Sequence, residues 1–346
     1  MTTQPVITLP DNHPAITVLQ GEGFTNVISQ SDAGNYLCEH EINDAIQYGH
    51  IDIMPNPVQS VIDEVRLLAQ SGKNINVHLF TGMQESLRPG EEKNQKTQDK
   101  EAYLKHFHKL IPDIKDTPLD VISVSGFGPS HLDFEKVEFW DALTDIFDHA
   151  NENKIMLDLK CWASHAYLYH KYDIERVRNE NKLTGIYKQS VEAPNSPLMK
   201  GVGDIYDTPV SRYYGSIEEG IRAIPHLHVQ SASPEAKSSI IYDEQNSAVL
   251  KTGHLEYLKD AFKGEYWRDF FKKGFKAPLP QNAFKNNDPF QEALPVTWSK
   301  AAQTITANFM DMVLTLREER SELATSNRLE ILETKHADPI FQPATV

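Results

Sequence analysis

The sequence predicts an α/β protein built on a mostly parallel sheet with helices on both faces. Three observations predict it. Strand-length apolar runs recur from about residue 50 to about residue 160, segments of helical periodicity separate them, and Pro or Gly closes most runs. The first strand is Ile51-Asp52-Ile53-Met54, stopped by Pro55 and Pro57. Residues 58–70 then place Val58, Val61, Ile62, Val65 and Leu68 on one helical face, ended by Gly72. Ile75 to Phe80 is the next strand, and the polar, charge-mixed stretch 86–101 reads as a surface loop or lid. Leu119 to Val124 forms a third strand that runs into Ser125-Gly126-Phe127-Gly128-Pro129. A helix follows over Val137 to Asn151 with Phe139, Leu143 and Phe147 inward, and Ile155 to Lys160 is the fourth strand.

Beyond residue 160 the pattern changes. Residues 190–212, rich in Pro, Asn and Gly, read as an ordered excursion. Leu227 to Gln230, Ser239 to Tyr242 and Ala248 to Lys251 read as an antiparallel extension. Helical periodicity returns over Leu255 to Lys273 and from Thr297 to about Leu323. The expected organisation is an N-terminal lead-in segment over 1–47, a catalytic domain over 48–323 and a tail over 324–346.

Bulk composition narrows the function. The 346 residues suffice for one large domain or two small ones, and 40% hydrophobic content is enough for a core. No apolar run approaches a membrane span, and Met1-Thr2-Thr3-Gln4-Pro5 lacks the pattern of a signal peptide. The expectation is a cytoplasmic protein. A formal net charge of −15 repels nucleic acid, and no Lys/Arg stripe counters it. Two cysteines, Cys38 and Cys161, exclude a disulfide framework and a cysteine-based zinc site, and no metal is expected.

Cys161 carries the chemistry. It stands between a strand and a segment, Trp162-Ala163-Ser164-His165-Ala166, that can open a helix. There the helix N-terminus and its N–H groups favour a thiolate and any nearby oxyanion. Downstream, Thr252-Gly253-His254-Leu255-Glu256 follows an apolar run. On extended backbone His254 and Glu256 face the same side, so the carboxylate can orient the imidazole while its other nitrogen meets the thiol. Cys, His and Glu are the parts of an acyl-transfer triad.

Five segments in order extend this reading: Cys161-Trp162-Ala163, Lys182-Leu183-Thr184-Gly185-Ile186-Tyr187, Val210-Ser211-Arg212-Tyr213, Thr252-Gly253-His254-Leu255-Glu256-Tyr257 and Asn287-Asp288-Pro289. Their spacing resembles the homoserine O-succinyltransferase/O-acetyltransferase family of methionine biosynthesis, over roughly residues 50–315. The resemblance implies a flavodoxin-like fold similar to class I glutamine amidotransferases. It also implies a ping-pong transfer of a short acyl group, succinyl or acetyl, from acyl-coenzyme A as co-substrate to the side-chain hydroxyl of homoserine. Cys161 would carry the acyl group, His254 would move the proton and Glu256 would orient His254. Trp162 and Phe127 N–H groups would hold the oxyanion. Arg268 matches the position that holds the amino-acid carboxylate. Lys182 and Ser211 match further pocket positions, and Arg212 would neutralise a substrate anion. A homodimer is implied by the same analogy.

The departures are specific. Pro57 stands where many members of the family have a lysine. Lys160, unusual beside the nucleophile, either replaces that cation's field or points to the opposite face of its strand. Phe127 occupies the family's Thr-Gly-Ala-Pro turn. Ser130 falls where a glutamate goes with acetyl transfer and a glycine with succinyl transfer. Three rivals follow: a glutaminase-like amidase, whose nucleophile would ordinarily be flanked by glycines where Leu159 and Ala163 stand; a relative with another acceptor; and a non-catalytic binding module. Other signals read as structural. His226-Leu227-His228 and His106-Phe107-His108 lack a third metal ligand, Gly126-Phe127-Gly128 is a turn, Tyr266, Trp267, Phe270 and Phe271 pack in a helix core, and Cys38 is a bystander.

Overall fold

The computed structural model describes residues 4–82, 95–127 and 131–336, with side chains to residue 326. Its centre is a 12-stranded sheet in which a parallel half continues into an antiparallel half. Chain order is β1 (Ile7–Leu9), α1 (Pro14–Gly21), β2 (Val27–Ser29), α2 (Glu39–Asn43), β3 (Ile46–Asp52), α3 (Pro57–Leu68), β4 (Ile75–Thr81), α4 (Gln95–Phe107), β5 (Lys109–Leu110), β6 (Val121–Val124), α5 (Trp140–Glu152), β7 (Met156–Lys160) and α6 (Trp162–Tyr172). Then come β8 (Arg176–Val191), β9 (Ile205–Ser216), α7 (Glu218–Ala223), β10 (Leu227–Ser233), β11 (Lys237–Asp243), β12 (Ala248–Lys251), α8 (Ala261–Lys272) and α9 (Ser299–His336). The spatial order is β2-β1-β4-β3-β6-β7-β12-β11-β10-β8-β9, with β5 paired to β4.

Strands β6, β7 and β12 are buried at every position, as central strands covered on both faces must be. Side chains alternate between two cores. Tyr48, Val77, Val121, Met156 and Val249 join α1, α3 and α9 on one face. Ile51, Phe80, Ile122, Leu157, Leu159 and Leu250 join α5 and α6 on the other. Asn56 caps α3 and Pro57 opens it, while α6 ends on Asp173 in the left-handed conformation. Helix α9 buries Ala302, Ile305, Phe309 and Val313, and its Arg317 and Arg320 reach Asp44 and Asp120.

Three sequence readings are corrected. Residues 7–29, expected in an irregular lead-in, supply β1 and β2, which pair in parallel with each other and with β4. Three-residue strands are too short to show alternation. The segment 86–101 is not all loop: residues 83–94 lie outside the described ones, but α4 runs from Gln95. Only Leu104 of α4 is buried, so no apolar stripe marks it. The tail expected from residue 324 is helical to His336.

The antiparallel half makes one tight contact. Gly185 of β8 has φ +136°, and a Cβ there would overlap the backbone of Gln281, whose N–H and carbonyl bond to Thr184 and Ile186. Gly185→Ala should therefore destabilise the fold by more than ~1 kcal/mol, read as a lower urea midpoint with unchanged slope.

Candidate active site

The carboxyl ends of the parallel strands put four segments at one edge: Asp52 at the end of β3, Ser125 to Phe127 after β6, Cys161 after β7 and Thr252 to Glu256 after β12. Cys161 is the single residue between β7 and α6. Its backbone, at φ 48° and ψ −108°, is one that L-residues rarely adopt. Its N–H donates to the Lys251 carbonyl at 2.7 Å, and the N–H groups of Ser164 and His165 donate back to its carbonyl. The Ser164 hydroxyl closes the turn by donating to the Leu159 and Lys251 carbonyls. The half-buried thiol therefore sits at the N-terminus of α6, where the first N–H groups have no helical acceptor.

His254 arrives from the neighbouring strand. The Thr252 N–H donates to Ser239 and that of His254 to Pro209, both at 2.8 Å. Gly253 passes so close to Thr208 and Pro209 that a side chain would collide. The His254 Nδ1–H donates to Glu256 Oε1 at 2.7 Å, which leaves the other ring nitrogen for the thiol. A Cβ placed on Gly126 would lie 3.8 Å from Cys161 Cβ and 3.9 Å from His254 Cε1, so both side chains border the same backbone. Burial alone would depress the His254 imidazolium. The Glu256 charge, the Cys161 charge and hydrogen bonds to both reverse that and hold its pKa well above the ordinary 6.5.

Of the expected oxyanion donors, Trp162 opens α6 with its indole buried against Phe127 and Phe134, ring centroids 5.0 and 5.4 Å apart. Phe127 directly follows Gly126, so its backbone passes beside the thiol. Its ring packs on Phe139 and Trp162.

A second cluster lies beyond His254. The imidazole stacks on Tyr257 at 4.5 Å, and the Tyr257 hydroxyl donates to Glu265 Oε1 at 2.5 Å. Ser211 donates to the other Glu265 oxygen, and Lys182 donates to Glu265 at 3.2 Å and Asp269 at 2.8 Å. Burial would raise the Glu265 pKa; Lys182 and the Ser211 and Tyr257 hydroxyls bring it below the usual range. Arg268, its side chain 51% exposed, bonds Asp269 at 3.0 Å. Glu265 is the residue that sequence reading missed. Its signal was the three-residue spacing from Arg268, which puts both on one helical face.

Other expectations are redirected. Arg212 does not face an open pocket. It is buried, and its guanidinium donates to the Thr252 carbonyl at 3.0 Å, the Thr252 hydroxyl at 2.6 Å and the Ala236 carbonyl, because β9 runs under the turn that carries His254. Lys182 is likewise not a free cation, since Glu265 and Asp269 hold it. Pro57 is the first residue of α3, and Lys160 points to the α3 and α9 face, where it meets Glu64. Ser130 lies outside the described residues. Of the aromatic residues around Arg268, Tyr266 packs against the core beside Phe284, but the others turn outward. Phe271 is 62% exposed and joins Trp267, Phe270, Phe275 and Phe290 in a surface cluster. His226 bonds Tyr172 and His228 pairs with Glu244. Among the described residues no group of three or more His, Cys, Asp or Glu is placed to hold a metal, and no helix is long and apolar enough to cross a membrane.

An α/β sheet with a thiol on a strained strand-to-helix turn, beside an imidazole that a carboxylate orients, is the frame of a cysteine-dependent acyl-transfer enzyme. A family model described as homoserine O-succinyltransferase matches residues 6–318, and the chain belongs to that family. It is 29% identical over 305 residues to a homoserine O-succinyltransferase of Shewanella frigidimarina, covering 88% of this chain and 92% of that one. It is 31% identical over 261 residues to a homoserine O-acetyltransferase of Lactococcus lactis, covering 75% and 78%. Among solved structures, a glutamine amidotransferase from Thermotoga maritima aligns with a TM-score of 0.48 at 11% identity, covering 78% of this chain and 97% of that one.

The raised His254 value has a sign that can be tested. Its stabilising contribution is whole below the unfolded value near 6.5 and is lost as pH rises through the higher native value. The ring resonances of His254 should titrate above the ordinary histidine range. Glu256→Gln should move that midpoint down.

Proposed function

We propose that this chain is a homoserine O-acyltransferase that works through a Cys161 thioester. The observation that carries the reading is the convergence of Cys161, His254 and Glu256 at one sheet edge, in a chain of this family. The Cys161 thiolate attacks the carbonyl carbon of an acyl-coenzyme A. The oxyanion is held by the Trp162 and Phe127 N–H groups. The intermediate collapses, the C–S bond to coenzyme A breaks, and the departing thiolate takes the His254 proton. In the second half-reaction the homoserine hydroxyl gives its proton to His254 as its oxygen attacks the acyl carbon. Collapse releases the O-acyl ester and regenerates the Cys161 thiolate, with the imidazole again protonated.

Acceptor recognition falls to the second cluster. Arg268 suits the α-carboxylate, as a forked donor on α8 whose side chain is half exposed. Glu265, kept ionised by its neighbours, suits the α-ammonium. Leu159 and Ala163, flanking the nucleophile's turn, are not the glycines expected of a glutaminase, and the family match favours O-acyl transfer over that rival.

Two experiments decide the matter. Intact mass after incubation with succinyl- or acetyl-coenzyme A should show one acyl adduct, absent in Cys161→Ala, and turnover of that variant should fall at least ~1,000-fold. Ammonia release from glutamine without coenzyme A would establish the amidase instead. Arg268→Ala should raise the acceptor KM by ~10- to 100-fold and spare the acylation half-reaction. Equal damage to both half-reactions would reject that role.

A further inference from the structure

Between the imidazole and the acidic cluster stands one side chain that touches both. The Tyr257 ring lies against the His254 ring, centroids 4.5 Å apart and planes 21° from parallel, and its hydroxyl donates to Glu265 Oε1 at 2.5 Å. The phenol thus offers a face to the imidazole and its tip to the carboxylate. Its place is fixed from three sides. The Tyr257 N–H donates to the His254 carbonyl at 3.2 Å, and the Tyr257 carbonyl accepts the indole N–H of the buried Trp298 at 3.0 Å. The ring meets Phe262 edge-on, with 5.6 Å between centroids.

The hydrogen bonds of Glu265 are unevenly shared. Oε2 takes Ser211 and Lys182, whereas among the described residues Oε1 takes the Tyr257 hydroxyl alone. Asp269 draws Lys182 away from this end, at 2.8 Å. A carboxylate oxygen has about two acceptor positions, so one is left on Oε1. The Tyr257 oxygen donates here, and among the described residues nothing donates to it. The Glu265 side chain is 18% exposed, which leaves it open to a small ligand. Glu265 Oε1 and the Tyr257 oxygen are therefore two neighbouring acceptors, and an ammonium group is all donors.

We propose that Tyr257 joins acceptor recognition to the base: its hydroxyl shares the acceptor's α-ammonium with Glu265, and its ring positions the His254 imidazole. The amine of the acceptor and the group that takes its hydroxyl proton are then held by one rigid side chain. This role rests on the assignment of Glu265 to the ammonium in homoserine O-acyl transfer, but its first test needs no acyl group.

Homoserine binding to the unacylated protein is measured by titration calorimetry in the parent, Tyr257→Phe, Glu265→Gln and the double variant. Each single variant should weaken homoserine about tenfold, and the double variant by clearly less than the roughly hundredfold that independent losses would give. 4-Hydroxybutanoate keeps the carboxylate and the hydroxyl but lacks the amine, and it should bind the parent and Tyr257→Phe alike. Acylation of Cys161 by acyl-coenzyme A, followed by intact mass, then reads the stack. Tyr257→Phe keeps the ring and should acylate within about twofold of the parent, while Tyr257→Leu removes it and should acylate about three- to tenfold more slowly. A change that only loosened packing would weaken both ligands and slow acylation in both variants. Independent losses in the double variant, an equal loss for 4-hydroxybutanoate, no homoserine binding by the parent, or acylation slowed as much by Tyr257→Phe as by Tyr257→Leu would overturn the proposal. If Tyr257→Leu does not fold, the binding cycle and Tyr257→Phe decide by the same criteria. A coupled loss of homoserine binding, in a parent that takes no acyl adduct from either coenzyme A ester, would reject the acyl-transfer reading and support the Tyr257 link by itself.

Discussion

The site depends on one over-determined backbone turn. Cys161 occupies a positive-φ conformation that costs free energy, and it persists because β12 bonds its N–H and the first turn of α6 bonds its carbonyl. The Lys251 carbonyl receives both the Cys161 N–H and the Ser164 hydroxyl. Strand β12 thus holds Cys161 with its last residue and delivers the His254 imidazole three residues later. Because Cys161 follows β7 and His254 follows β12, a shift of β12 against β7 would part the two side chains, and the bond from the Cys161 N–H to the Lys251 carbonyl resists that shift.

Charge is organised in the same economical way. Each buried ion near the site has a stated counterpart: Glu256 for His254, Glu265 for Lys182, Glu64 for Lys160 and Asp158 for Lys251. Arg212 differs. Among the described residues it has no carboxylate partner and instead donates to main-chain and hydroxyl oxygens around Thr252. Burial pulls its pKa down against the opposing charge of Cys161. It thereby fixes the loop carrying His254 while leaving its charge uncancelled in the neighbourhood of the sulfur.

The parallel core, and the three residues Cys161, His254 and Glu256 that the proposed triad rests on, were legible in the sequence because both follow from short-range rules. Alternating or continuous apolar runs mark β4, β6 and β7, while β3 runs from Ile46 to Asp52, largely before the Ile51–Met54 run read as the first strand. A cysteine between a strand and a helix, with a His-x-Glu downstream, names a chemistry. What was not legible depends on side-chain direction in three dimensions. Arg212 looked like a substrate ligand until β9 was seen to pass beneath the His254 turn. Lys160 had two opposite readings that only the alternation of β7, with Leu157 and Leu159 on one face and Asp158 and Lys160 on the other, could separate. Trp267 and Phe271 looked like core because hydrophobicity says nothing of which side of a helix is covered. Helix α4 escaped because an exposed polar helix carries no apolar stripe.

The pairing of Lys182 and Arg268 with acidic residues of α8 bears on encounter kinetics. Their charges are already balanced locally, on a chain whose formal net charge is −15. A zwitterionic acceptor feels little of that potential, whereas the acyl-coenzyme A proposed as donor, a multiple anion, would diffuse against it. Added salt screens such repulsion, so capture of that donor would get faster as ionic strength rises, the reverse of an electrostatically guided enzyme.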